Sequence, residues 1–323
     1  MTAAPDTPAG GGGTAAPILV VGSVALDEIT TPTGHRDDVV GGTAVNFSAA
    51  ASLFAPVQLV GVIGDDYPTH ELDFLRRRGT DLSGLERRPG RSFRWGAVYH
   101  RNMNTRDTAY TDLGVFSEFD PSLPPPFRSA GWAFLGAIDP ALQLSVLDQL
   151  DAPRLVACDT MNYWIERTRE PLLEVIGRID LLTLNDEEAR QLSAEPNLVR
   201  AARWIRRRGP RHVVIKKGEH GALLLTDDDT FLVPGFPLDG VVDPTGAGDA
   251  FAGGMLGYLA RCGSVTSREF RRAIVHGCAL GSFACEAFGA RRMAGLTVAE
   301  VEDRVRHFCR LTEFDVSPGP VEA

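Results

Sequence analysis

At 323 residues, 44% hydrophobic and 23% charged, the chain has the profile of a globular protein with apolar surface for one large α/β domain or two ordinary ones. Its formal charge of −9 argues against nucleic-acid binding, which wants a basic face, and no apolar run approaches the roughly 18 residues of a membrane span. The five cysteines (Cys158, Cys262, Cys278, Cys285, Cys309) are odd in number and lack a C-x-x-C pair, so mostly buried free thiols in a reducing, cytoplasmic setting are expected.

Residues 1–16 carry four successive glycines and too little large apolar surface to offset the entropy of ordering, so a disordered tail is expected ahead of a single domain over 17–323. Residues 17–24 form an apolar run of the kind buried on both faces of a sheet, and Asp27 stands just beyond it, where open parallel sheets bind ligands. A turn cap is the competing role for Asp27. Residues 28–40 are polar with weak alternation and predict an exposed hairpin. Gly41-Gly42 then turns the chain, Thr43 is a candidate cap, and small residues carry a helix to Ala55 with Asn46 on its first turn.

A second buried strand is predicted over 57–64, followed by a helix ending at Gly79. Residues 92–100 alternate, with Phe93, Trp95, Ala97 and Tyr99 on one side, and 107–115 can pair with them across a turn holding Asn102 and Asn104. These strands lack a crossover helix. They predict either an edge hairpin of the main sheet or, joined to 28–40, a small lid with aromatics exposed on one face. The four prolines within 121–127 make a stiff connector. Strand 132–138, helix 140–150 and strand 154–158 follow, leaving Asp139, Asp159 and Asn162 just after strand ends, each a candidate rim contact or cap.

Strand 180–184 delivers Asn185-Asp186-Glu187-Glu188 into a helix. An Asn and a Glu at that spacing make a capping box, or hold the water shell of Mg2+. Residues 203–217 read as a solvated helix and the strand VVIKKG, ending at Lys217 before a turn over 218–221. In VVDPTGAGDAFAGG, Val241-Val242 is expected to end an extended run that Asp243-Pro244 breaks. Gly246, Ala247 and Gly248 bring backbone N–H groups to the mouth of a helix beginning near Asp249, an anion site. A carboxylate there is either a cap or a base that takes a proton from a group attacking phosphate. Helices over 266–287 and 297–309 complete the chain.

DPTGAGDAFAGG closely resembles the second signature of the ribokinase, or PfkB, family of carbohydrate and nucleoside kinases, and GGTAVNFSAAASLFA resembles the first. Asn185 and Glu188 match the family's N-x-x-E motif, and the resemblance spans about 17–308 in the family's order. Competing phosphate motifs fail: there is no G-x-x-x-x-G-K-[ST], and Phe251 stands where a dinucleotide fingerprint needs its third glycine. The resemblance implies a ribokinase-like α/β fold, a mostly parallel central sheet with helices on both faces, plus a small β lid from 28–40 and 92–115.

It also implies an ATP-dependent kinase acting on a hydroxyl of a small sugar or sugar-like molecule. Asp249 would be the base and the Gly246, Ala247 and Gly248 amides the anion hole. Gly41, Gly42 and Asn46 would contact sugar hydroxyls with Asp27, and Asp139 and Asn162 would lie on the substrate rim. Asn185, Lys217 and Gly218, with Gly246 and Gly248, would meet ATP; Asn185 and Glu188 would organise Mg2+, and Asp243 and Thr245 match where K+ is held. Lids of relatives commonly pair, so a homodimer is expected. Thr43-Ala44-Val45 is not diagnostic of one sugar, and the acceptor could be a nucleoside's ribose with Trp95 or Phe93 against the base. A non-catalytic sugar sensor is the alternative from another class; the intact Asp249, Gly246 and Gly248 speak against it.

Overall fold

The computed structural model describes residues 15–313, so nearly all of the tail expected over 1–16 lies outside the described residues. Along the chain run β1 (Ile18–Val21), β2 (Ala25–Thr31), β3 (Gly34–Gly41), β4 (Val57–Ile63), β5 (Thr80–Arg87), β6 (Phe93–Tyr99) and β7 (Arg106–Asp112). Then follow β8 (Trp132–Leu135), β9 (Leu155–Asp159), β10 (Leu181–Asn185), β11 (His212–Lys216), β12 (Ala222–Leu225) and β13 (Thr230–Val233). Nine of them form the central sheet in the order β13-β12-β11-β10-β9-β8-β1-β4-β5. Pairing is parallel from β11 through β5 and antiparallel only at β12 and β13.

Burial follows from alternation. Successive residues of a strand face opposite sides, so a strand covered on both must be apolar throughout, as β1, β8 and β9 nearly are. Ile18, Val20, Ala157 and Val214 join the core beneath the helices Thr43–Ala51, Ala247–Cys262 and Ser267–Ala284. Leu19, Val21, Cys158, Val213 and Ile215 join the opposite core, under the helices Pro140–Leu147, Arg169–Ile176, Asp186–Ser193 and Leu198–Arg206.

The remaining strands form a second sheet, β3-β2-β6-β7, in which two antiparallel hairpins are joined by parallel pairing of β2 with β6. This is the lid, built from the two segments expected to compose it. Its inner face carries Ile29, Trp95, Ala97 and Tyr99 against Phe288 and Val242. The aromatics expected to be exposed are therefore turned inward: Tyr99 is buried, Trp95 half-buried, and Phe93 stacks on Phe116.

Other expectations are corrected. Asp27 does not end a turn after β1; it lies within β2, because Ala25 already opens a lid strand. Thr43 does not cap its helix: Gly42 holds the N-cap position with φ 90° and no side-chain cap, and the helix stops at Ala51. Val241-Val242 does not end a strand: β13 stops at Val233, prolines 234, 237 and 244 withdraw ladder donors, and Val242 instead bonds its N–H to the Cys285 carbonyl. β5 was not anticipated because an edge strand with intermittent burial lacks a strong apolar signal. Cys158 and Cys278 are buried as expected, but Cys262 and Cys309 are exposed. Among the described residues, no helix is long and apolar enough to cross a membrane.

Candidate active site

The helix Ala247–Cys262 begins without a side-chain cap; the Ala247 N–H turns back to the Pro244 carbonyl at 3.2 Å, those of Gly248 and Asp249 are left available, and Gly246 ahead of the helix is left-handed at φ 73°. A side chain there would be strained, and its Cβ would lie 2.2 Å from Asn46 Nδ2. The Asn46 amide is thus seated directly against the glycine loop. The close approach continues along the helix: a Cβ on Gly253 would meet the Phe47 carbonyl oxygen at 2.2 Å, and one on Gly254 would press on Leu280 at 2.9 Å. Small residues let the helices Thr43–Ala51 and Ser267–Ala284 pack close on both sides, fixing the mouth of this helix relative to Asn46.

The sheet supplies the charges. β9 ends in Asp159 and β11 in Lys216, each two residues beyond a core residue on the sheet face that packs under this helix, Ala157 and Val214. Their side chains meet, Lys216 Nζ to Asp159 Oδ2 at 2.5 Å, with 17% and 5% exposure. The same Nζ lies 3.2 Å from where a Cβ on Gly248 would stand. An ammonium group therefore rests beside the glycine loop.

Asp249 is half-buried in the helix's first turn. Burial, and next the charge of Asp159, push its carboxyl up to about 7, against the pull of Lys216, Arg106 and the Thr43 hydroxyl. A carboxylate poised there can accept a proton near neutrality, where an ordinary aspartate is too weak a base. Asp27, facing it from the lid, is buried and pushed up to about 8, chiefly by desolvation and then by the charges of Asp243 and Asp249. Its Oδ2 lies 2.3 Å from the position of a Cβ on Gly41, so only glycine fits beside it.

Asp243 is fully buried and accepts the Thr245 N–H at 2.9 Å and the Gly289 N–H at 3.3 Å. The Thr245 hydroxyl donates to Tyr99 of the lid at 3.1 Å. Asn185 and Glu188 form the complete capping box: Asn185 Oδ1 accepts the Glu188 N–H, and Glu188 Oε2 the Asn185 N–H, both at 2.7 Å. Glu188 is buried and held above the usual carboxylate range by burial and by Asp159. Gly218 is left-handed and lies against Asn104 of the β6–β7 turn, whose Nδ2 donates to Glu219 at 2.9 Å.

One expected contact is otherwise engaged: Asp139 caps the helix Pro140–Leu147 through the Ala141 N–H at 2.9 Å. Asn162 opens a short helix behind Met161. Lys217 falls past the end of β11, and the ammonium beside Gly248 belongs to its neighbour Lys216. Counting by twos from Val214 identifies Lys216 as the strand-end charge on this face of the sheet. Arg106, first residue of β7, was also missed. Its guanidinium lies 5.3 Å from the Trp95 ring centroid, and no sequence signal tied this hairpin residue to the site.

Comparison with known proteins finds that the family model described as pfkB family carbohydrate kinase matches residues 18–295. A cytidine kinase of Thermococcus kodakarensis is 32% identical over 251 residues, 76% of this chain and 88% of the relative. Among solved structures, a Burkholderia thailandensis nucleoside kinase in complex with inosine superposes with a TM-score of 0.73 at 22% identity, covering 90% of this chain and 97% of the other. A putative ribokinase II from E. coli in complex with ATP and Mg2+ gives 0.75 at 17% identity, covering 90% and 99%. The fold is ribokinase-like.

Proposed function

Because this chain belongs to the pfkB family of carbohydrate kinases, and so is a phosphotransferase acting on an alcohol group, we propose that it moves the γ-phosphoryl group of ATP to a ribose hydroxyl of a nucleoside. The observation that carries the chemistry is Asp249, a carboxyl pushed up to about 7 at the mouth of a helix with free N–H groups. Asp249 takes the proton of the attacking hydroxyl. The oxygen freed of it bonds to phosphorus as the bond to the ADP oxygen breaks, and the amides of Gly246, Ala247 and Gly248 stabilise the charge on the group in flight.

The acceptor class is drawn from the lid. In the β2–β6 register Asp27 stands directly beside Trp95, so a carboxylate able to hold hydroxyls and an aromatic ring share one inner face. A nucleoside matches that pair, its ribose to Asp27, Asn46, Gly41 and Gly42 and its base to the indole. The names of the cytidine kinase and of the inosine-bound nucleoside kinase support the same class. Asp139, spent on its cap, and Asn162 are left out of these contacts.

Mg2+ fits beside the capping box: Glu188 is buried, lacks an ion-pair partner among the described residues, and keeps one carboxylate oxygen outside the box. Bound there through water with Asn185, it would neutralise phosphate charge. The buried Asp243, with Thr245, fits K+ in the same sense. Gly218, left-handed and lacking a Cβ, with Lys217 beside it, is the turn proposed to meet the nucleotide next to Asn104. Free thiols suit a reducing, cytoplasmic setting. A homodimer through the lid is also proposed, resting on the unpaired edges β3 and β7 and on the exposed Val98 and Tyr110.

Substrate-dependent ADP release, measured across cytidine, inosine, adenosine, ribose and fructose, tests the acceptor class. The expected kcat/KM is at least about tenfold higher for one or more nucleosides than for either sugar, a margin that one aromatic contact can supply. A free sugar turning over best would contradict it and leave Trp95 without its role.

A further inference from the structure

Resting on the kinase reading above, we propose that Lys216 is a catalytic residue, the side-chain cation of the anion hole, and that Asp159 is the positioning residue holding it there. The geometry is specific. Lys216 Nζ is 2.5 Å from Asp159 Oδ2 and 3.2 Å from where a Cβ on Gly248 would stand, so one ammonium is bonded to the sheet end and faces the side of Gly248 that carries no side chain. It spends one of three hydrogens on Asp159, and among the described residues no other acceptor takes the rest. Those hydrogens are left for a ligand on the loop.

Stability does not account for the pair. Both side chains are largely removed from water, at 17% and 5% exposure, and such burial costs desolvation that apolar residues would avoid. The neighbouring positions on β9 and β11, Cys158, Ala157, Val214 and Ile215, are apolar, so the two strands turn to charge only at their ends, where the site begins. Backbone amides supply partial positive charge, and a full charge beside them strengthens their hold on a group whose negative charge is spread over three oxygens during transfer. Lys216 gives up no proton in this step; the proton of the acceptor hydroxyl goes to Asp249.

The test compares Lys216→Met, Lys216→Arg and Asp159→Asn with the wild type, using Mg-ATP and the best acceptor of the panel, with melting temperatures taken in parallel. Lys216→Met is expected to lower kcat by about 10²–10³, the range seen when one donor to a developing oxyanion is removed, with acceptor KM changed less than about threefold. Lys216→Arg should recover at least about tenfold of that loss, and Asp159→Asn should lower kcat by less than Lys216→Met does. Retention of more than about a third of kcat in Lys216→Met, or a loss confined to the KM for ATP, would overturn the proposal. If Lys216→Met does not fold, Lys216→Gln decides on the same criteria. Asp249→Asn separates the two claims: its inactivation alongside an active Lys216→Met removes the lysine alone. A wild type that phosphorylates none of the acceptors removes the parent reading as well.

Discussion

Two aspartates give pH opposite effects on activity and on stability. Asp249 is pushed up to about 7 and Asp27 to about 8, both mainly by burial. A carboxyl raised on folding favours the folded state while protonated; that contribution is complete below its unfolded value near 4 and is lost as pH rises through the folded value. The ligand-free protein should therefore melt at progressively lower temperature from about pH 5 to 8 and level off above. Asp27→Asn, which mimics the neutral acid, should flatten that slope. Activity needs Asp249 ionised, so kcat/KM should climb with pH through about 7 and decline on the acid side. A slope in melting temperature identical in Asp27→Asn, or an acid limb near 4, would show that these carboxyls are not held as described. At this scale, Asp249, Gly246, Gly248 and the Asn185–Glu188 pair were legible because their motifs are contiguous. Lys216 and Asp159 lie far apart in the chain, and only the sheet register makes them one unit.

Among the elements, the lid was readable from what its strands lack: with no crossover helix, they fit poorly in a doubly wound sheet. Its orientation was not readable. Alternation says that Trp95, Ala97 and Tyr99 share a face but not which way the face turns; contacts to Phe288 and Val242, distant in sequence, decide that. The outer face keeps Val98 at 43% and Tyr110 at 38% exposure, between two unpaired edges. Sedimentation velocity is expected to give a dimer at micromolar concentration, with Val98→Asp shifting it to monomer and leaving Trp95 fluorescence responsive to the acceptor. A wild-type monomer at every concentration would leave the exposed edges unexplained by self-association. β5 escaped the sequence for an opposite reason, since an edge strand with only one well-buried residue resembles a polar loop.

At the scale of the molecule, one sheet does most of the positioning. β9, β10 and β11 are parallel and end within two residues of one another, Asp159 level with Thr183 and Lys216 with Asn185, so Asp159, Asn185 and Lys216 arrive on one rim, and the lid brings Asp27 over it from β2. The fold class was legible from the αβ rhythm and the two signatures, while the acceptor was not, because it depends on how the lid closes on that rim. A sensor on this scaffold would bind the same acceptor, so binding does not separate it from a kinase; turnover does. The direct measurement is mass-spectrometric detection of phosphorylated acceptor, with stoichiometric ADP, from the wild type and Asp249→Asn, each also titrated with acceptor by calorimetry. One phosphate transferred per ADP is expected of the wild type, and a rate about 10²–10⁴-fold lower of Asp249→Asn at little-changed acceptor affinity. No phosphorylated product from the wild type, or an Asp249→Asn rate above about a tenth of it, would contradict the central claim.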